Sequence, residues 1–143
     1  MHQLPPPLRD QRKIDAEHLN LLSIFHFVGA GLAGLGVVFV LLHYTMLQAV
    51  FSNDKLWQNQ NQGPLPAEFF AIFKWLYVVF AVWFVGSGIL NLLAGLFIRA
   101  RKHRTFCLIV SGVNCMHFPL GTILGVFTMI VLLRDSVREL YET

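Results

Sequence analysis

The sequence predicts an all-α membrane protein built as a bundle of four transmembrane helices. Three stretches contain no charged side chain, and they run over 19–52, 75–98 and 105–133. A run of about 18 or more apolar residues is typical of a membrane-spanning helix, because a helix satisfies its own backbone hydrogen bonds in lipid. The chain of 143 residues is 55% hydrophobic and 13% charged, about half the charged fraction of a soluble domain.

The N-terminal region is predicted to consist of a cytoplasmic tail over 1–15 and a first helix over about 16–51. The proline run 5–7 favours an extended tail, and Asp15 is a candidate N-cap for the helix. The helix would be about 54 Å long against about 30 Å of hydrocarbon, so we expect one end to protrude. Its apolar run is too long for a cleavable signal peptide, and we therefore expect it to remain as the first span.

The second helix is predicted over about 67–98, which corresponds to roughly 48 Å. The connecting segment contains the polar, turn-forming run 59–64, with the sequence Asn-Gln-Asn-Gln-Gly-Pro. We place this loop on the side of the membrane opposite the N-terminus. The whole of 16–143 is expected to form a single transmembrane domain.

The last apolar run is predicted to form a short helical hairpin with arms at about 103–117 and 120–138, turning at Pro119. Proline removes a helical hydrogen bond and clashes with the preceding turn, and Gly121 relaxes the backbone beside it. The alternative is three spans with a kinked last helix at Pro119. Positive charge favours the hairpin, because it returns Arg134 and Arg138 to the side that carries the other basic residues.

The basic residues also orient the chain. They cluster before the first helix and directly after the second, whereas the loop between those helices contains only Lys55. Lysine and arginine are enriched in cytoplasmic loops, so both termini are predicted to be cytoplasmic. This orientation already accounts for the net charge of +3, and no nucleic-acid partner is expected.

Small residues recur at helical spacing and form candidate helix-packing faces. They are Gly29, Ala33, Gly36, Gly88, Gly95, Gly121 and Gly125. Small residues let two helix backbones approach closely in lipid. The faces could pack helices within one chain or mediate self-association, and the sequence leaves both interpretations open.

Polar residues inside the apolar runs are the candidate functional side chains. They are His26, His43, Ser87, Asn91, Cys107, Ser111, Asn114 and His117. The last four form one stripe on a helix. Such residues usually face the bundle interior and often mark function. One interpretation is a structural hydrogen-bond network, and the alternatives are a solute or ion path or a haem b site between two histidines.

Catalytic and metal-binding motifs give no comparable signal. The chain contains no phosphate-binding glycine loop, no HExxH and no GxSxG. Cys107 and Cys115 would lie about 12 Å apart along one helix, too far for a disulfide. We therefore expect no enzymatic activity, no metal and no resident cofactor, with haem b as the alternative.

Two segments have a distinctive sequence. The first is Leu21-Leu22-Ser23-Ile24-Phe25-His26 followed by Gly29. The second is a PxGTxLG element at 119–125, continued by Val126-Phe127-Thr128, Val131-Leu132-Leu133-Arg134 and Ser136-Val137-Arg138. Together they resemble small, multi-spanning bacterial inner-membrane proteins of unknown function. The resemblance implies a location in the bacterial inner membrane, and it carries no activity.

Together these features predict a structural or interaction protein of the membrane, a scaffold or an accessory subunit. We expect it to contact the lipid bilayer and to form a homo-oligomer through its glycine-rich faces, with a membrane or periplasmic protein as a further partner. The alternative function is an oligomeric channel or small-solute transporter lined by neutral polar residues. A haem b electron-transfer protein is the third hypothesis.

Overall fold

The computed structural model describes residues 8–53 and 67–142, and this part of the chain is helical without any strand. Its five helices are α1 (Leu8–Phe51), α2 (Ala67–Ala100), α3 (Arg104–Asn114), α4 (Leu120–Leu132) and α5 (Asp135–Glu142). The prediction of an all-α protein is confirmed. The predicted proline run 5–7 and the polar loop at 59–64 lie outside the described residues.

Within residues 8–53 and 67–142, two helices are long and apolar enough to cross a membrane. The qualifying segments are Lys13–Phe51 in α1 and Ala71–Ala100 in α2. A third candidate exists only if α4 and α5 count as one span, although they are bent by 80°. These features fit a membrane protein, and the four-span topology stays a prediction.

The first helix starts earlier than the sequence indicated. α1 begins at Leu8, about eight residues before the predicted helix start at 16, and the cytoplasmic location of the tail stays a prediction. Asp15 is not an N-cap but lies inside the helix and is almost completely buried. Its Oδ1 is 3.6 Å from Nη1 of Arg134, and this ion pair offsets part of the cost of burying the carboxylate.

The chain reverses direction between α3 and α4, so the two helices pack antiparallel as a hairpin. Arg104 Nε, at the start of α3, donates to the carbonyl of Leu132 at the end of α4 over 2.8 Å. Near the other end, Gly125 lies against the backbone of Ser111. Pro119 immediately precedes α4, as the predicted turn requires.

The hairpin arms are shorter than predicted. α3 ends at Asn114 rather than at 117, because the turn that leads to Pro119 has already begun. α4 ends at Leu132 rather than at 138. The charged residues that follow form the separate helix α5, which exposes Asp135, Arg138 and Glu139 and buries Val137 completely.

Contacts divide the chain into two compact units. The first contains Met1–Ala30 and Ile89–Thr143, and the second contains Gly31–Gly88. The core of the first unit consists of Leu19, Leu22, Ile98, Cys107, Val131, Leu132 and Val137. Within the second unit, Gly36 of α1 lies against the ring of Phe84 on α2. The second unit also has a groove of about 370 Å³, lined by Tyr44, Leu47, Gln48, Phe51, Ser52, Ala71, Phe73, Lys74 and Tyr77.

Candidate functional site

A buried polar cluster in the first unit centres on His26. The side chain is completely buried, and its ring bridges two other helices. Nδ1 lies 2.9 Å from Oδ1 of Asn91 on α2, and Nε2 lies 3.2 Å from Oγ1 of Thr128 on α4. Because an amide oxygen only accepts, Nδ1 carries a proton and donates to Asn91. One imidazole therefore joins α1 to α2 and to the hairpin.

A reciprocal amide pair extends the cluster to α3. Nδ2 of Asn91 donates to Oδ1 of Asn114 over 3.0 Å, and Nδ2 of Asn114 donates back to Oδ1 of Asn91 over 2.8 Å. Both side chains are buried. Oδ1 of Asn91 thus accepts from Asn114 and from His26 at once, using the two lone pairs of an amide oxygen.

The hydroxyl of Thr128 can hydrogen-bond to His26 in either of two directions, depending on whether Nε2 of the imidazole carries a proton. Its hydroxyl oxygen lies within hydrogen-bond distance of His26 Nε2 and 2.7 Å from the carbonyl of Leu124. With a neutral imidazole, the hydroxyl donates to Nε2. With a protonated imidazole, Nε2 donates to the hydroxyl, which in turn donates to Leu124. The cluster can therefore hold His26 in either protonation state without leaving a ring nitrogen unpaired.

Further polar contacts lie beside this cluster and join neighbouring helices. Ser23 donates to the carbonyl of Gly95 over 3.0 Å, which ties α1 to α2. The thiol of Cys107 on α3 is 3.9 Å from the carbonyl of Ala94. Ser111 is buried, but its hydroxyl donates to the carbonyl of Cys107 within its own helix over 2.6 Å. These bonds satisfy polar groups inside the bundle rather than presenting them to a cavity.

Three of the predicted polar residues belong neither to the cluster nor to the contacts beside it. His117 follows the end of α3 and leaves the predicted stripe; its Nδ1 is 3.3 Å from the carbonyl of Val113. Ser87 donates to the carbonyl of Phe84 in its own helix. His43 is exposed in the second unit, where it is hydrogen-bonded to the hydroxyl of Tyr77.

The glycines of the first unit lie at close contacts between or within its helices. A Cβ added to Gly95 would meet the ring of Phe27 and the carbonyl of Ser23 at 2.9 and 3.2 Å. On Gly125 it would lie 2.4 Å from the carbonyl of Ser111. On Gly29 it would make an ordinary contact, at 3.5 Å, with Oδ1 of Asn91.

Gly121 packs within the hairpin turn, where an added Cβ would lie 2.4 Å from Cβ of His117. In the second unit, Ala33 is buried, Gly88 is half-buried, and a Cβ added to Gly36 would lie 2.6 Å from the ring of Phe84. Gly31 and Gly34 differ, because a Cβ there would meet nothing within 4 Å. Gly121 and Gly125, in contrast, allow close packing within the hairpin, against its turn and against α3.

The surroundings of the histidines bear on the question of a metal or haem site. Among those residues, no group of three or more His, Cys, Asp or Glu side chains could hold a metal ion. Both ring nitrogens of His26 face protein partners, so an axial haem bond from this residue would require breaking one of those hydrogen bonds.

Sequence reasoning found His26, Asn91 and Asn114 but missed Thr128 and Ser23. Both missed hydroxyls lie one helical turn from residues that the sequence singled out, since Ser23 precedes His26 by three positions and Thr128 follows Gly125 by three. That spacing places each pair on one helix face and could have identified them. No protein-family model, curated protein or solved structure matches this chain.

Proposed function

We propose that this chain is a non-catalytic integral membrane protein that acts as a structural or accessory subunit. The main support for the proposal is that the side chains of the buried polar cluster use their hydrogen bonds on one another. His26, Asn91, Asn114 and Thr128 bond to one another and thereby tie α1, α2 and the hairpin together. Such interhelical bonds contribute about 0.6 kcal/mol each in lipid, which suits a cluster that specifies packing.

The same hydrogen bonding within the cluster argues against a path for solutes through the protein. A path of neutral polar groups must offer hydrogen bonds to the passing species. Here Asn91 and Asn114 use their amides on each other, and Ser111 uses its hydroxyl on its own helix. The side chains that would line a path are engaged within the protein, so we favour the structural role.

Self-association is the second part of the proposal, and the open glycines of α1 support it. A Cβ added to Gly31 or Gly34 would meet no other atom within 4 Å, in contrast to the glycines that pack against neighbouring helices of the same chain. Large apolar side chains beside them, Leu35 and Phe39, are exposed. A second copy could approach closely over this surface, as small residues permit in lipid. We place the assembly in a bacterial inner membrane with both termini cytoplasmic.

The mass of the purified protein in mild detergent tests this proposal. We expect light scattering to give an oligomer, and we expect Gly31→Leu or Gly34→Leu to shift it toward the monomer. Gly86→Leu on α2 is the matched control, because that glycine also has nothing within 4 Å of an added Cβ. A wild-type protein that is monomeric over a wide concentration range would contradict self-association.

A further inference from the structure

The arms of the α3–α4 hairpin are too short to cross a membrane. α3 has 11 residues and α4 has 13, which correspond to about 16 Å and about 20 Å of helix. Crossing about 30 Å of hydrocarbon takes about 20 residues. Helices of 10–14 apolar residues are typical of buried core helices and of re-entrant segments, which enter and leave a membrane on one side.

All charges of the hairpin lie at its base. Arg104 opens α3 and Arg134 follows α4, and no charged side chain occurs over 105–133. The bond from Arg104 to the carbonyl of Leu132 joins the two arms at this level. The chain then bends by 80° into the polar helix α5. The base therefore lies where charge is tolerated, at the headgroup level.

The tip of the hairpin is apolar and protrudes. Met116, Phe118 and Leu120 are 75%, 88% and 69% exposed. A tip that reached the far side of the membrane would place these three side chains in water or among headgroups. In hydrocarbon the same side chains are in a favourable solvent, since removing apolar area from water is favourable.

Several backbone groups at the tip are hydrogen-bonded within the hairpin. The N–H of His117 donates to the carbonyl of Asn114, and the N–H of Gly121 donates to the carbonyl of His117, each over 2.8 Å. The hydroxyl of Thr122 donates to the carbonyl of Cys115, also over 2.8 Å. Non-helical backbone needs such partners at membrane depth, where water cannot supply them.

The depth of the tip follows from its contact with α2. Asn114, the last residue of α3, pairs with Asn91, which precedes the end of α2 at Ala100 by nine residues, or about 14 Å. The apolar segment of α2 is 30 residues long, about 45 Å. With the end of α2, where Arg99 and Arg101 lie, set at the headgroup level, the end of α3 lies about halfway through a hydrocarbon layer of about 30 Å.

The geometry points to a re-entrant hairpin. α3 and α4 enter the membrane from the side on which α2 ends, turn near its middle, and return to the same side. The tip over 116–120 contacts lipid acyl chains. The chain then has two spanning helices, α1 and α2, instead of four spans. Both topologies leave the chain ends on one side, so only the position of the tip distinguishes them.

Spin labels at single cysteines in lipid vesicles test this assignment. The background carries Cys107→Ala and Cys115→Ala, and the label is placed at Phe118→Cys. Lys102→Cys and Asn53→Cys are the controls, because these exposed residues lie in the α2–α3 turn and directly after α1. At the tip we expect high accessibility to oxygen and low accessibility to a water-soluble nickel chelate. At both controls we expect low accessibility to oxygen and high accessibility to the chelate.

Accessibility of the Phe118→Cys label to the nickel chelate equal to that at Asn53→Cys would overturn the proposal, because four spans would place the tip at the far surface. Accessibility of the Phe118→Cys label to the nickel chelate equal to that at Lys102→Cys would also overturn the proposal, because the hairpin would then lie outside the membrane. Met116→Cys and Leu120→Cys repeat the measurement at equally exposed tip positions. Helix content and elution volume identical to wild type identify the variants that are folded.

Discussion

Asn91 and Asn114 bind each other through two reciprocal hydrogen bonds of 3.0 and 2.8 Å, and His26 bonds to the same Asn91 oxygen that Asn114 uses. Three helices therefore meet at one side-chain oxygen. The pair joins the last residue of α3 to a buried position of the apolar helix α2, nine residues before its end, where an unpaired amide would be costly. This arrangement makes the docking of the hairpin depend on a few identifiable bonds.

Replacing either asparagine should destabilise the protein, and replacing both should cost less than the sum. Asn114→Ala removes two bonds and leaves the amide of Asn91 without this partner, so we expect a loss of about 1–2 kcal/mol. Reversible unfolding in mixed detergents of the single variants and of the Asn91→Ala/Asn114→Ala double variant measures the coupling. Thr45→Ala is the control, because that exposed hydroxyl bonds to the Leu42 carbonyl of its own helix. Strict additivity would contradict the pair.

Removing the hydroxyl of Thr128 should loosen α4. Thr128→Val keeps the shape of the side chain but removes the hydrogen-bond partner of His26 Nε2, and we expect a loss of about 1 kcal/mol. Amide hydrogen exchange along α4 should become faster. Thr105→Val, at an exposed position on α3, is the matched control. Unchanged exchange in α4 would show that the His26–Thr128 bond does not hold the hairpin.

A methyl group at Gly125 should push the hairpin arms apart. Its Cβ would lie 2.4 Å from the carbonyl of Ser111 and 2.7 Å from Sγ of Cys115. We expect Gly125→Ala to cost about 1–3 kcal/mol, as overpacking typically does. Gly31→Ala, with nothing within 4 Å, should be neutral or stabilising by up to about 1 kcal/mol through helix propensity. Thermal unfolding followed by helix content compares the two variants, and equal midpoints would contradict the close contact.

Gly36 should tolerate a side chain only when Phe84 becomes smaller. A Cβ on Gly36 would lie 2.6 Å from the Phe84 ring, so Gly36→Ala should destabilise the second unit. Phe84→Leu removes ring atoms from this contact, and we expect the double variant to recover part of the loss. Gly34→Ala is the control, because its Cβ would face open space. Unfolding monitored by tryptophan fluorescence gives the comparison, and an absence of recovery would contradict the assigned contact.

The long apolar helices could be predicted from the sequence because their signal is local. α2 follows its predicted range within two residues, and α1 ends at the predicted residue. The start of α1 could not be predicted in the same way. Asp15 resembles a cap in sequence, but Arg134, far along the chain, lies beside it and helps to keep it inside the helix. α4 ends where the chain bends by 80° into α5, the helix that buries Val137.

The candidate site was predictable in part. His26, Asn91 and Asn114 stand out because polar side chains are rare in apolar runs. Thr128 did not, since a hydroxyl that bonds to its own helix carries little signal in the sequence. His117 was assigned to the same stripe as Asn114, but the helix ends at Asn114 and the helical phase does not continue to His117.

By itself, the sequence determined that the chain is helical, which segments are apolar enough to enter a membrane, and where charge is excluded. These properties follow from the solvent that each segment prefers, which depends on local composition. Only the tertiary structure decided that His26, Asn91, Asn114 and Thr128 meet, and that Gly125 packs within the hairpin. Such contacts depend on the register between helices that are distant in the chain, and no local pattern encodes that register.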